Sequence, residues 1–250
     1  MGIKPTIRAS KFLFRDETLR RRLIKYGFVV LSLSAFVPLL TAATPTQRVI
    51  VIEDWKAHAV GRKGVPSGWT SETFGRTAAY DLTVEQIDEI RFLHLISRDE
   101  HSIIAKDISN KVNLKDAPIL EWSWKATILP TGGDLRQKET TDMAAQIYVV
   151  WPRFPALLRS RIIGYVWDTA TPAGTVILSQ KTGTVTFVVA RSGPQDLGKW
   201  ITERRNIVQD YLKIYGEFPP DPKAITISID SNDTHSVAES FIGPIVFRAE

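Results

Sequence analysis

Ala224-Ile225-Thr226-Ile227-Ser228-Ile229-Asp230 puts three isoleucines on one side of an extended chain and Thr226, Ser228 and Asp230 on the other. Successive side chains of a strand point to opposite faces, so this heptad reads as a strand with one buried face. The same alternation recurs on both sides of it. Gln146 to Trp151 aligns Ile147, Val149 and Trp151, and Thr184 to Ala190 aligns Val185, Phe187 and Val189. Ile119 to Leu129 alternates as well. Apolar runs over Arg48 to Glu53, Glu89 to Ser97, Arg161 to Asp168, Thr175 to Leu178 and Phe241 to Phe247 complete nine strand segments.

Gly, Pro, Asn and Asp punctuate these segments at Gly61 to Gly68, Pro130 to Asp134, Pro152 to Pro155, Thr171 to Gly174 and Lys181 to Gly183. Such residues set the backbone of tight turns. Nine or ten strands over 48–250 predict an all-β fold, a β-sandwich or jelly roll. One amphipathic helix is expected near the C-terminus. Over Leu197 to Tyr215, Trp200, Ile201, Ile207, Val208, Tyr211, Leu212 and Tyr215 recur at helical spacing, with Asp196 as cap and Gly216 as stop. Its apolar stripe is expected to pack on a sheet or close one end of the sandwich.

Charge divides the chain. Residues 1–43 hold eight Lys/Arg and two acids, whereas 44–250 are close to neutral. The basic excess thus sits in the leader, and the folded part lacks the clustered positive charge of a nucleic-acid binder. Arg20, Arg21, Arg22 and Lys25 precede an uncharged stretch, Tyr26 to Gln47, of 22 residues. Positive charge before an apolar run directs the downstream chain outward across the inner membrane. The length suits a spanning anchor, while Thr41-Ala42-Ala43 suits cleavage of a signal peptide, so both readings stand. The division expected is 1–47, a cytoplasmic segment with anchor or signal helix, and 48–250, a periplasmic domain. No cysteine is present, which excludes disulfides, thiolate metal sites and a cysteine nucleophile.

The chemistry-bearing candidates are few. Trp122 and Trp124 share one face of Glu121-Trp122-Ser123-Trp124-Lys125, where they form either a sugar-stacking platform or a core payload; the charges opposite favour burial. Trp55 and Trp69 stand beside loops and are the better candidates for a binding rim. Asp230, Asn232 and Asp233 offer oxygen ligands for a structural calcium, against the plainer reading of an Asx turn. The four histidines show no ligand spacing. Glu121, Asp142, Asp168 and Asp230 are candidates for a glycosidase carboxylate pair, which need not be close in sequence. Arg204, read as lying on the inner helix stripe, needs a partner such as Glu121 or Asp142.

Several stretches carry a family resemblance: Gly68-Trp69 with Phe74-Gly75-Arg76-Thr77 and Tyr80; Pro118 to Lys125; Asp142 to Val150; Ile163 to Trp167; and a discontinuous run from Trp200 through Arg205-Asn206, Asp210-Tyr211, Gly216 and Pro219-Pro220 to Asp230-Ser231, Asp233-Thr234, Ala238 and Phe247. On these the chain resembles a bacterial exported family, domain of unknown function 3047, over roughly residues 50–249. The resemblance implies an exported sandwich similar in style to galactose-binding jelly rolls, and no known reaction. The chain departs from the family pattern at Gly243-Pro244-Ile245, where an acidic residue usually replaces the proline.

The functional expectation is a non-catalytic, membrane-anchored periplasmic protein that binds or scaffolds a larger membrane complex, respiratory or photosynthetic. The alternative is a carbohydrate-binding module or a polysaccharide hydrolase with a glycan as partner.

Overall fold

Two antiparallel ladders meet on β12 (Ala224–Asp230), the isoleucine heptad: β5 (His101–Asp107) on one edge and β7 (Ala145–Trp151) on the other. The computed structural model describes residues 48–71 and 80–250. Beyond β12 the sheet extends through β8 (Arg161–Asp168), β10 (Val185–Ser192) and β9 (Val176–Leu178) on one side and the two-residue β2 (Thr70–Ser71) on the other. All its pairs are antiparallel except β8 with β10.

The second sheet is six-stranded. Its order is β11 (Ile201–Asn206), β6 (Ile119–Ile128), β13 (Val237–Arg248), β4 (Ile90–Arg98) and β3 (Asp81–Ile87), with β1 (Val49–Glu53) also on β13. One edge of β13 serves two partners, β4 through Val237–Ile242 and β1 through Ile245–Arg248. Its register with β6 shifts between Ile242 and Ile245. Gly243 and Pro244 fall in that bulge, where an unpaired position tolerates a residue without an N–H.

The two sheets enclose an aromatic core. Trp122 and Trp124 of β6 meet edge to face at 5.3 Å, and they contact Tyr165 and Trp167 of β8 at 5.2 and 5.9 Å. The expected sandwich is therefore present. β2, β3, β5 and β11 are strands that the sequence pattern did not announce.

The helix expected over Leu197–Tyr215 is corrected to its second half. Ile201–Asn206 is strand β11, paired with β6 from Ile201↔Trp124 to Asn206↔Ile119, and only Ile207–Tyr215 is helical (α2). Asn206, not Asp196, is the cap: its side chain accepts from the Val208 and Gln209 N–H groups, both at 3.1 Å. Asp196 instead pairs with Lys199 and Arg191. The exposed edge of β6 explains the change, because ladder bonds to it outweigh the modest propensity of Thr202-Glu203-Arg204-Arg205 for helix. Gly216 ends α2 in the left-handed region, as expected.

The outer faces of the two sheets differ. On the seven-stranded sheet, Leu135 and Met143 from the segment before β7 pack with Tyr148, Val166, Phe187 and Val189 into a second, smaller core. Tyr148 lies across Gly164, where a Cβ would stand 2.6 Å from its ring. The six-stranded sheet turns a row of aromatic and charged side chains outward.

The expected signal or transmembrane helix lies outside the described residues. Among the described residues no helix is long and apolar enough to cross a membrane.

Candidate ligand-binding face

Ladder register assembles this row. Thr83 of β3 is opposite His94 of β4, His94 is opposite Phe241 of β13, and Phe241 is opposite Lys125 of β6. Trp200, one residue before β11, comes next to Lys125. The row crosses five strands at right angles, or about 19 Å at the usual interstrand spacing.

Its side chains stack tightly. The His94 ring lies on Phe241 at 4.3 Å and 11°, and the Lys125 ammonium stands 4.0 Å from the Phe241 centroid and 5.4 Å from that of Trp200. Cation–π attraction accounts for both lysine contacts. Phe92 meets Trp200 edge-on at 5.3 Å and Phe241 at 5.8 Å. Phe92 and Phe241 are buried, whereas Trp200 remains 41% exposed. It is the exposed member of the seven tryptophans; the other six are buried.

Carboxylates flank the row. His94 places Nδ1 2.7 Å from Glu85 and Nε2 2.9 Å from Glu239. Burial pushes the Glu239 carboxyl up, but hydrogen bonds from Thr127 and His94 outweigh it and hold the group below the ordinary glutamate range. Further along the face, Glu121 takes Arg204 at 3.2 Å and Arg248 at 2.8 Å. The expected Arg204–Glu121 pair thus exists, as a cross-strand contact rather than one made by a helix. The face combines one open indole, a lysine that stands over two ring faces, and a half-exposed carboxylate in Glu85. Such a combination suits a ligand with both apolar faces and hydroxyls.

The sequence-derived candidates fall elsewhere. Trp122 and Trp124 point inward, since alternation along β6 sends Glu121, Ser123 and Lys125 out. Trp55 and Trp69 are corrected from rim to core. They stack at 5.7 Å, and their indole N–H groups donate to Gly243 O and Glu53 Oε2, both at 2.9 Å. The segment after β1 folds back onto the sheet and buries them, so standing beside a loop does not mean exposure.

Of the calcium candidates Asp230, Asn232 and Asp233, the two carboxylates are engaged by donors of the protein itself. Asp230 accepts from Met143 N at 2.7 Å and Gln146 Nε2 at 2.8 Å, while Asp233 pairs with Lys181. Asp142 holds the turn by accepting from the N–H groups of Asp233 and Thr234 at 3.2 and 2.6 Å. Among the described residues no three His, Cys, Asp or Glu side chains are grouped to hold a metal ion. Burial, with Asp142 nearby, pushes the Asp230 carboxyl well above its ordinary value. The glycosidase candidates are divided too, with Asp142, Asp168 and Asp230 buried at one end of the seven-stranded sheet and Glu121 on the outer face of the other.

Sequence reasoning missed Trp200, Phe241, His94 and Lys125 as one group, because register between strands distant in sequence assembles them. Gly198, at φ +77, was the local signal that Trp200 does not continue a helix.

No curated protein matches the chain. Among solved structures it is similar to a family 11 carbohydrate-binding module from Clostridium thermocellum in complex with a β-1,3-1,4-mixed-linked tetrasaccharide. That likeness has 9% identity and a TM-score of 0.39, over 80% of this chain and 94% of the other. The CBM22-1 xylan-binding domain of Paenibacillus barcinonensis Xyn10C is similar at 12% identity and a TM-score of 0.36, over 77% of this chain and 92% of the other. The sequence profile of the family described as "Protein of unknown function (DUF3047)" matches residues 67–246, more than two thirds of the 250 residues, and the chain belongs to that family.

Proposed function

We propose that residues 48–250 form a non-catalytic glycan-binding domain, held on the periplasmic side of the inner membrane by the N-terminal segment. The outer face of the six-stranded sheet is its binding surface. The observation that carries this reading is Trp200: a half-exposed indole at the end of a cross-strand row, braced edge-on by Phe92 and set beside Lys125. A sugar ring would lay its C–H face on the indole with a hydroxyl toward the Lys125 ammonium, and a later unit of the same glycan would reach the Glu85 carboxylate. The other face of the sandwich already has an occupant in the Leu135 and Met143 segment, which supports choosing this one.

Native gel retardation of the full-length protein by xylan, mixed-linked glucan, mannan and alginate tests the reading. Retardation by at least one polysaccharide, lost in Trp200→Ala at unchanged melting temperature, is the expected result. Migration indifferent to every polysaccharide, or equal retardation of the variant, would overturn it.

A further inference from the structure

The turn between β7 and β8 exposes side chains that a soluble surface rarely leaves together. Phe154 is 89% exposed, Leu157 84% and Leu158 78%. Leu157 and Leu158 sit on the single turn α1 (Ala156–Arg159) that crowns the segment. Phe218, 74% exposed, is held beside them, because the preceding Glu217 receives both Arg153 and Arg161 at 2.5 Å. Trp151 Nε1 fastens the same segment by donating to Pro220 O at 2.7 Å.

The charge around this tip is basic. Arg153, Arg159 and Arg161 belong to the same turn; Arg153 and Arg161 share Glu217 and both donate to the Tyr211 hydroxyl, at 2.9 and 3.1 Å. Arg159 donates to Phe154 O at 3.3 Å and makes no ion pair among the described residues. Exposed apolar side chains with arginines in the same turn fit the headgroup boundary of an anionic bilayer, where the side chains enter the acyl layer and guanidinium groups meet phosphate.

The start of the domain lies at the same end of the sandwich. Arg48 pairs with Asp116 at 3.0 Å, in the segment joining β5 to β6. That segment is tied to the 219–223 strap through Leu114 N–Asp221 and Ile108 N–Lys223 O, and Lys223 N reaches Val150 O at the end of β7. In the sequence, the uncharged stretch 26–47 ends immediately before Arg48. Arg48, the first described residue, therefore lies at the same end of the domain as the apolar tip.

We propose that Phe154, Leu157, Leu158 and Phe218, with their three arginines, dock this end of the domain onto an anionic phospholipid bilayer. The inference is independent of the glycan reading, since it uses a different surface.

The chain has no cysteine, so single thiols can be introduced and labelled with an environment-sensitive fluorophore. Leu157→Cys reports the tip. Ala173→Cys, in an exposed turn after β8 at the opposite end, reports the control position. The full chain is combined with nanodiscs of phosphatidylglycerol or of phosphatidylcholine. The expected result is a rise of about threefold in emission at position 157 with phosphatidylglycerol, with shielding from aqueous iodide. Position 173 should stay unchanged, and Arg159→Glu should abolish the rise. Equal iodide access at both positions would overturn the proposal. So would a rise in detergent alone that grows with protein concentration, which would assign the tip to a second copy of the chain.

Discussion

Glu53 at the end of β1 receives the Lys106 ammonium of β5 at 2.7 Å, and the contact joins the six-stranded sheet to the seven-stranded one. The same carboxylate accepts from Trp69 Nε1 at 2.9 Å and Trp55 N at 2.8 Å, and His58 Nε2 lies 3.2 Å away. Burial pushes this carboxyl up, but the hydrogen bonds from Lys106, Trp69 and Trp55 outweigh it and hold it below the usual glutamate value. A buried charge with this many donors is a clamp whose worth depends on completeness.

Replacing Glu53 with Gln should therefore cost about 3 kcal/mol at pH 7, because it strands the Lys106 charge. The carboxyl titrates lower in the folded chain than in the unfolded one. Its contribution is thus complete above the unfolded value of 4.5 and fades as pH falls through the lower folded value. Urea denaturation of wild type and E53Q at pH 7 and pH 3 should give a large difference at the first and a small one at the second.

Asp230 behaves in the opposite sense. Burial, with Asp142 close by, lifts its carboxyl well above 3.8. Below that value both states hold the proton. Above it the unfolded chain releases the proton first, so folding loses stability as pH rises toward the folded value. Asp230→Asn keeps an oxygen for Met143 N and Gln146 Nε2 and removes the titration. The variant should gain on wild type as pH rises above 3.8, and the gain should grow with pH toward the folded value. A stability difference that is flat with pH would count against this account.

Some of this molecule was legible in the sequence. Alternation identified β12, β7 and β10 because each has one face in a core, and along β6 it already sent Trp122 and Trp124 inward. β11 was illegible because Thr202-Glu203-Arg204-Arg205 is an edge strand with polar residues on both faces, and Ile201 and Ile207 imitated a helical stripe across it. β5 was hidden for a similar reason: His101-Ser102-Ile103-Ile104-Ala105-Lys106 buries Ser102 and leaves Ile103 half-buried. The candidate face depends on register, which brings His94, Lys125, Trp200 and Phe241 together from separate segments spread between positions 94 and 241. The core fate of Trp55 and Trp69 came from Glu53, a buried acid that composition treats as a surface residue.

Gly164 should prove intolerant of a methyl group. An added Cβ would stand 2.6 Å from Tyr148 Cε1 and 3.2 Å from Phe187 Cδ1. Gly164→Ala should destabilise by about 1–3 kcal/mol, the usual cost of overpacking. Trimming the ring by Tyr148→Ala should make room, so the double variant should lose less than the two single losses together. A double-mutant cycle by urea denaturation checks the sign: additive losses would mean that the Tyr148 ring is not the obstacle.

Asn206 marks the point where β11 becomes α2, and its side chain closes the helix start through Val208 N and Gln209 N. Truncation to Ala leaves two N–H groups without that acceptor and should cost ~1 kcal/mol. Asp or Ser at 206 should restore most of the loss, since either presents an oxygen at the same place. Asp196 is the contrasting position, because among the described residues its carboxylate meets Lys199 and Arg191, in partly exposed pairs of 3.2 and 3.3 Å. Asp196→Ala should change the urea midpoint little, within the small range of surface pairs. If Asp196→Ala were the more damaging of the two, the helix would begin where the sequence pattern first placed it and β11 would not be a strand.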